Sequence, residues 1–174
     1  NGGNIKQAMD WANKAAAIAV SHRGVVAVKR EEVGEVKEKI VLIAGCFDSL
    51  HRGHLHILTE AAKLGRLIVC INRDEYLARK GPGRPLNKES ERVRALYATG
   101  LVNHVRVIGD SPIDEIMEIK PDYIVVGDDY TINRVVGAEE CKQWGGQVLI
   151  VPRLPGYSTS QIVCGTIGEK GEWM

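Results

Sequence analysis

The chain has 174 residues, 44% of them hydrophobic, and a formal net charge of +1. That is enough apolar material for one substantial α/β core with an appendage, and too little positive charge to argue a broad electrostatic attraction to nucleic acid. No stretch approaches the roughly 20 apolar residues of a membrane span and no signal-peptide pattern opens the chain, which argues against a membrane partner, while the wide spacing of Cys46, Cys70, Cys141 and Cys164 reads as free thiols of a reducing cytoplasm.

The chain opens on Asn1 without a methionine, so it reads as a piece of something longer. From Ile5, the positions Ala8, Met9, Ala12, Ala15, Ala16 and Ala19 mark one face of a helix, with Asn4 available as N-cap and Gly24 as the stop. A short strand-like run follows at 25–28. One small-residue helix and one strand cannot make a core, so this piece must pack on something else, either the main domain or an oligomer interface. The charged stretch around Gly34 suits a solvated connection.

Ile40, Val41, Leu42, Ile43 and Ala44 form an unbroken apolar run, expected of a strand buried on both faces of a parallel sheet. It stops at Gly45. Leu55, Leu58, Ala61, Ala62 and Leu64 then recur at helical spacing, which predicts a helix from near Gly53 to near Gly65 with His54 in its first turn. A helix start offers unpaired N–H groups and the positive end of the helix dipole, and Gly53 lets an anion approach the main chain. His51 and His54, three apart and flanking that glycine, can both face such an anion. Each residue also has a plainer reading: Gly53 as a helix-start glycine, Cys46 and Phe47 as core, the histidines as structural. No third Cys or His stands at zinc-site spacing, so no metal ligands are assigned to the protein. The order of strand, glycine turn, histidine pair and helix favours a phosphate site.

Gly45-Cys46-Phe47-Asp48 followed by His51-Arg52-Gly53-His54 resembles the signature of the cytidylyltransferase-like branch of the nucleotidyltransferases, whose H-x-G-H histidines contact the nucleoside triphosphate. The resemblance covers about residues 39–165. It implies that Gly45, Cys46, Phe47, Asp48 and Gly53 line the nucleotide and that His51 and His54 are catalytic.

Farther along, residues 67–71 read as a second buried strand, and the segment 72–85 carries Arg73, Arg79, Lys80 and Arg84 among glycines and prolines. Such a loop is either plain solvated surface or a lid bringing cations to phosphate. Lys80-Gly81 with Arg84-Pro85-Leu86-Asn87 is similar to the K-G-x-x-R-P-x-N pattern of the heptose-phosphate nucleotidyltransferases. This implies a catalytic Lys80 on the phosphates and Arg84 on the acceptor phosphate. Asn87 or Ser90 can cap the next helix, which holds Val93, Leu96 and Tyr97 on its buried side. Arg92 in that helix either pairs with Glu89 or Glu91 or, by the resemblance, faces the nucleotide.

Residues 105–108 are strand-like, Ile113, Ile116, Met117 and Ile119 form a helix face ended by Pro121, and residues 123–126 make the next buried strand. That strand runs into Gly127-Asp128-Asp129-Tyr130, which reads as a turn and cap or, set beside the first strand of a doubly wound sheet, as carboxylates across the crevice from the histidines. The family has a similar segment, which implies nucleotide contacts here. A helix near 135–144 and a strand at 147–151 precede Arg153, Gly156, Ser158, Thr159 and Ser160. Ser158 is a good N-cap, and the hydroxyls also make a second phosphate cradle. The run is similar to the family's closing R-x-x-G-x-S-T-T/S motif, which places Ser158, Thr159 and Ser160 on the nucleotide and Arg153 on the acceptor phosphate. Residues 165–174 read as a loose tail.

Five buried strands alternating with helices predict an α/β protein, a doubly wound Rossmann-like parallel sheet with helices on both faces. Residues 1–30 form an appendage, 31–38 a linker and 39–174 the nucleotidyltransferase domain. The appendage resembles the closing helix and strand of ribokinase-type sugar kinases, which implies a kinase fused or associated ahead of the transferase. The resemblance implies adenylyl transfer from ATP to D-glycero-D-manno-heptose 1-phosphate, giving ADP-heptose for lipopolysaccharide, in a cytoplasmic homodimer that uses Mg²⁺ held mainly by the nucleotide phosphates. The alternatives are a CTP-dependent glycerol 3-phosphate cytidylyltransferase and a nucleotide-binding subunit without turnover.

Overall fold

The computed structural model describes residues 5–21, 38–128 and 131–152. The chain divides into two compact units, Asn1–Glu38 and Lys39–Met174. In the first, α1 (Ile5–Ser21) is a helix of 17 residues in which Ile5, Met9 and Val20 are exposed. Its start agrees with the alanine-rich periodicity; the cap at Asn4, the stop at Gly24 and the run at 25–28 lie outside the described residues.

The second unit alternates strand and helix as the apolar runs predict. Its elements are β1 (Ile40–Gly45), α2 (Arg52–Ala62), β2 (Arg66–Asn72), α3 (Asp74–Ala78), α4 (Glu89–Ala98), β3 (His104–Ile108), α5 (Ile113–Ile119), β4 (Tyr123–Gly127), a 3₁₀ turn (Ile132–Arg134), α6 (Ala138–Gln143) and β5 (Gln147–Val151). Among the described residues, five strands make one sheet in the order β3-β2-β1-β4-β5. Every neighbouring pair is parallel.

The order follows from alternation along the strands. In β1, Val41 and Ile43 face a core shared with Leu58 and Ala61 of α2 and Leu96 of α4. Leu42 faces the opposite core, with Ile116 of α5 and Ala138 and Cys141 of α6. The chain therefore winds from β1 outward to β3 with its helices on one face, returns to the other side of β1, and winds on to β5 with its helices on the other face. A right-handed crossover for each parallel pair demands this reversal. The reversal falls between β1 and β4, where the connections diverge and leave a crevice at the carboxyl ends of the strands.

Two close approaches fix the lower rim. Gly65 turns α2 into β2 where a Cβ would lie 2.1 Å from the Lys39 carbonyl oxygen, so no larger residue fits without moving the backbone. Asp122, just before β4, accepts from the Ile40 N–H at 2.9 Å and from Lys39 Nζ at 2.7 Å, which ties the amino ends of β1 and β4 together. Among the described residues, no helix is long and apolar enough to cross a membrane.

The structure adds elements the periodicity did not single out. The stretch after β2 opens with the short helix α3, anchored by buried Leu77. The cap position of α4 is Lys88, whose N–H is accepted by the Glu91 carboxylate at 3.1 Å, in place of Asn87 or Ser90. Asn87 is used elsewhere, as described below, and Tyr97, expected on the buried side of α4, is exposed, its hydroxyl oxygen accepting the Val105 N–H at 3.0 Å.

Candidate active site

β1 ends at the switch point, and the residues that follow must turn sharply to start α2. Phe47 makes that turn with φ of 47°, the left-handed region that a side chain enters only when its surroundings hold it there. Its ring is buried and folds back over Gly45, where an added Cβ would meet Phe47 Cε2 at 3.1 Å. The other edge of the ring meets His54, with centroids 4.9 Å apart. The glycine, the strained aromatic and the histidine are thus one packed set.

His51 is the N-cap of α2, extended in backbone, and its Nδ1 accepts the His54 N–H at 3.4 Å. His54 Nδ1 lies 3.0 Å from the Ser49 carbonyl oxygen. A carbonyl oxygen only accepts, so Nδ1 of His54 carries the proton and the neutral ring has its lone pair on Nε2. In His51 the roles are reversed: Nδ1 is the acceptor, and the neutral ring carries its proton on Nε2. The two rings stack, centroids 3.8 Å apart and planes 21° from parallel. Burial, and to a smaller extent His51 beside it, lower the His54 pKa to about 4 against the opposing Ser49 hydrogen bond. Burial also lowers His51. The helix start that these rings flank contains Arg52 and Gly53, at the first two helical positions, whose N–H groups precede the first intrahelical acceptor.

Cys46 is half-buried and its Sγ donates to Asn72 Oδ1 at 3.6 Å, while Asn72 Nδ2 donates to the Gly109 carbonyl at 2.7 Å. Asn72 thereby joins the ends of β1, β2 and β3. It was not singled out from the sequence, where it reads only as the polar residue that ends an apolar run.

Asp48 is completely buried. Its Oδ1 accepts from the N–H of Leu86 at 2.7 Å and of Asn87 at 3.2 Å, and its main-chain oxygen accepts from Asn87 Nδ2 at 2.6 Å. Arg84 comes within 3.5 Å of Oδ2, with 12% of its side chain exposed. Arg92 has no exposed side-chain surface. Its Nε donates to the Asn87 carbonyl at 3.1 Å, one terminal nitrogen to the Cys46 carbonyl at 2.8 Å and the other to Asp74 Oδ1 at 2.7 Å. Neither Glu89 nor Glu91 is its partner.

Lys80 is exposed and its ammonium lies 4.9 Å from the centroid of the Tyr76 ring, on which Arg79 also rests; Arg79 is paired with Asp110. β4 lies beside β1, with Val41 opposite Tyr123 and Leu42 opposite Ile124, so Gly127 and exposed Asp128 emerge at the same end of the sheet as Gly45 and Cys46. Asp129, Tyr130, Arg153, Ser158, Thr159 and Ser160 lie outside the described residues. The fold thus brings the glycine turn, the histidine pair and Asp128 to one rim of the switch point.

A family model described as cytidylyltransferase-like matches residues 42–165, a span that begins in β1 and includes the whole of this turn. The chain belongs to the cytidylyltransferase-like family. It is accordingly a nucleotidyltransferase domain. Over 194 residues it is 37% identical to the "Bifunctional protein HldE" of Gluconobacter oxydans, covering 94% of this chain and 40% of that protein. Over 129 residues it is 46% identical to the protein of the same name from Methylobacillus flagellatus, covering 72% of this chain and 26% of that one. The chain therefore spans well under half the length of these curated relatives. Among solved structures it is similar to a lipopolysaccharide core biosynthesis protein from Thermoplasma volcanium, with a TM-score of 0.55, 29% identity, and coverage of 68% of this chain and 98% of that one.

Proposed function

We propose that this cytidylyltransferase-like domain transfers AMP from ATP to D-glycero-D-manno-heptose 1-phosphate, releasing pyrophosphate and forming ADP-heptose. The observation that carries the reading is the stacked pair His51 and His54 at the start of α2, at the switch point of the sheet. The choice of heptose phosphate is supported by the similarity to the HldE proteins and by Lys80-Gly81 with Arg84-Pro85-Leu86-Asn87.

In this reading a phosphate oxygen of the acceptor attacks the α-phosphorus in line. The new P–O bond forms as the bond to the β-phosphate bridge oxygen breaks, and pyrophosphate leaves with that electron pair. An acceptor phosphate is already anionic at neutral pH, so positioning and charge stabilisation supply the rate and no covalent residue is required. His51 gives its Nε2–H to a phosphate oxygen in the neutral state. His54 does so as the imidazolium, since its Nδ1–H is committed to Ser49. The N–H groups of Arg52 and Gly53 receive the phosphate chain, with Lys80 adding charge. The exposed carboxylate of Asp128 is the kind of hard oxygen ligand that, with substrate phosphates, suits Mg²⁺. When bound, Mg²⁺ would neutralise charge on the departing pyrophosphate.

In the same reading residues 1–30 are the end of a sugar kinase fused or associated ahead of the transferase, the assembly is a homodimer, and the reaction takes place in the cytoplasm. Incubating the protein with each nucleoside triphosphate and each candidate acceptor, and measuring pyrophosphate, tests the assignment. ATP with heptose 1-phosphate is the expected productive pair. Turnover of CTP with glycerol 3-phosphate alone would replace it with the cytidylyltransferase reading. ATP binding without pyrophosphate from any acceptor would leave a binding subunit.

A further inference from the structure

Arg92 and Asp48 are the buried charged side chains of the described residues, and neither is the other's partner. A buried ion is costly unless it is hydrogen-bonded on several sides, so the partners each one has taken reveal what the burial secures. Both converge on Asn87. The Asp48 carboxylate takes its N–H, the Asp48 main-chain oxygen takes its side-chain amide, and Arg92 takes its carbonyl. Arg92 also reaches Asp74 at the first turn of α3, the helix whose far end leads into Arg79 and Lys80. Its third acceptor is the Cys46 carbonyl, in the turn that follows β1. One guanidinium therefore holds Asp74 and Asn87, on either side of the stretch 75–86 that carries Lys80, together with the turn after β1. Asp48 closes the same arrangement from the turn side and places its second oxygen against Arg84.

We propose that Asp48 and Arg92 are positioning residues that register the Lys80 loop on the Gly45-to-His54 turn, so that the loop cation and the histidine pair act on one triphosphate. The inference rests on the proposed transferase reading for its kinetic consequence, while the anchoring itself has a readout that does not. Only a planar guanidinium reaches the three acceptors at once, one per nitrogen; an ammonium in its place lacks that fixed fork.

The test pairs kinetics with proteolysis. Asp48→Asn, Arg92→Lys and Asn87→Ala are each made alone and together with Lys80→Ala; Asn87 is exposed, so its variant keeps the test open if a buried substitution fails to fold. Each single variant is expected to lower kcat/KM for ATP and acceptor by about tenfold or more. The effect is expected to vanish when Lys80 is already alanine, and trypsin is expected to cut after Arg79 or Lys80 several-fold faster with the circular dichroism spectrum unchanged. An Asn87→Ala protein whose loss is the same with and without Lys80, or whose loop is cut no faster than the wild type, overturns the proposal. If the wild type releases no pyrophosphate from any acceptor pair, the transferase reading fails. The cleavage rates of the Asn87→Ala and Arg92→Lys loops then still decide the anchoring.

Discussion

The imidazoles of His51 and His54 stack at 3.8 Å, with the Nδ1 atoms committed in opposite senses, one accepting a main-chain N–H and the other donating to a main-chain oxygen. Two adjacent rings of this kind resist carrying two positive charges unless an anion joins them. A triphosphate is such an anion, and the asymmetry predicts how protons move when it binds.

Because His54 has its neutral lone pair on Nε2, giving a hydrogen bond to phosphate requires protonation. Its ligand-free pKa of about 4 must then rise when ATP binds. At neutral pH, ATP binding is expected to draw up to one proton onto this ring, beyond any change in the nucleotide's own ionisation. Titration calorimetry in two buffers of different ionisation enthalpy measures the uptake. A His54→Asn protein should take up fewer protons than the wild type, and identical uptake in both would show that His54 binds as the neutral ring.

The same burial sets a stability window. His54 has a folded-state pKa below that of the unfolded chain, near 6.5, so the unfolded state binds more protons between those values. The contribution is intact above about pH 6.5 and is lost as pH falls toward about 4; His51, lowered in the same direction, acts in the same sense. Urea unfolding at pH 7, 5.5 and 4 should show a steeper loss for the wild type than for His54→Asn. Parallel losses would contradict the buried, neutral assignment.

Much of the fold was legible because the middles of β1, β2 and β4 are buried on both faces and therefore read as unbroken apolar runs, while the helices between them keep their apolar spacing. The histidine pair was legible for a related reason: it directly follows a buried strand and opens a helix. The partners of Arg92 were not, since local spacing offers Glu89 and Glu91 while Asp74 stands 18 residues away and the other two acceptors are main-chain carbonyls, which side-chain patterns do not reveal. The partners of Asp48 were hidden for the same reason: its buried carboxylate accepts from the main-chain N–H groups of Leu86 and Asn87, nearly forty residues away. Helix α3 is short and is anchored by Leu77, so no amphipathic repeat announces it.

Gly45 should tolerate little. An alanine Cβ would press on Phe47, whose backbone is already left-handed and whose ring supports His54. Gly45→Ala is expected to cost about 1 kcal/mol of stability and to lower turnover by about tenfold through displacement of the imidazole. Thermal melts and steady-state kinetics check the two parts, and unchanged turnover would show that the ring does not position His54.

The central claim is that the imidazole pair at the start of α2 stabilises the transferring phosphates. The most direct measurement is pyrophosphate release from ATP and heptose 1-phosphate by the wild type and by His54→Ala, at saturating concentrations of both. A fall in kcat of about 10²-fold or more in a folded variant is the predicted result; near-wild-type turnover would contradict it.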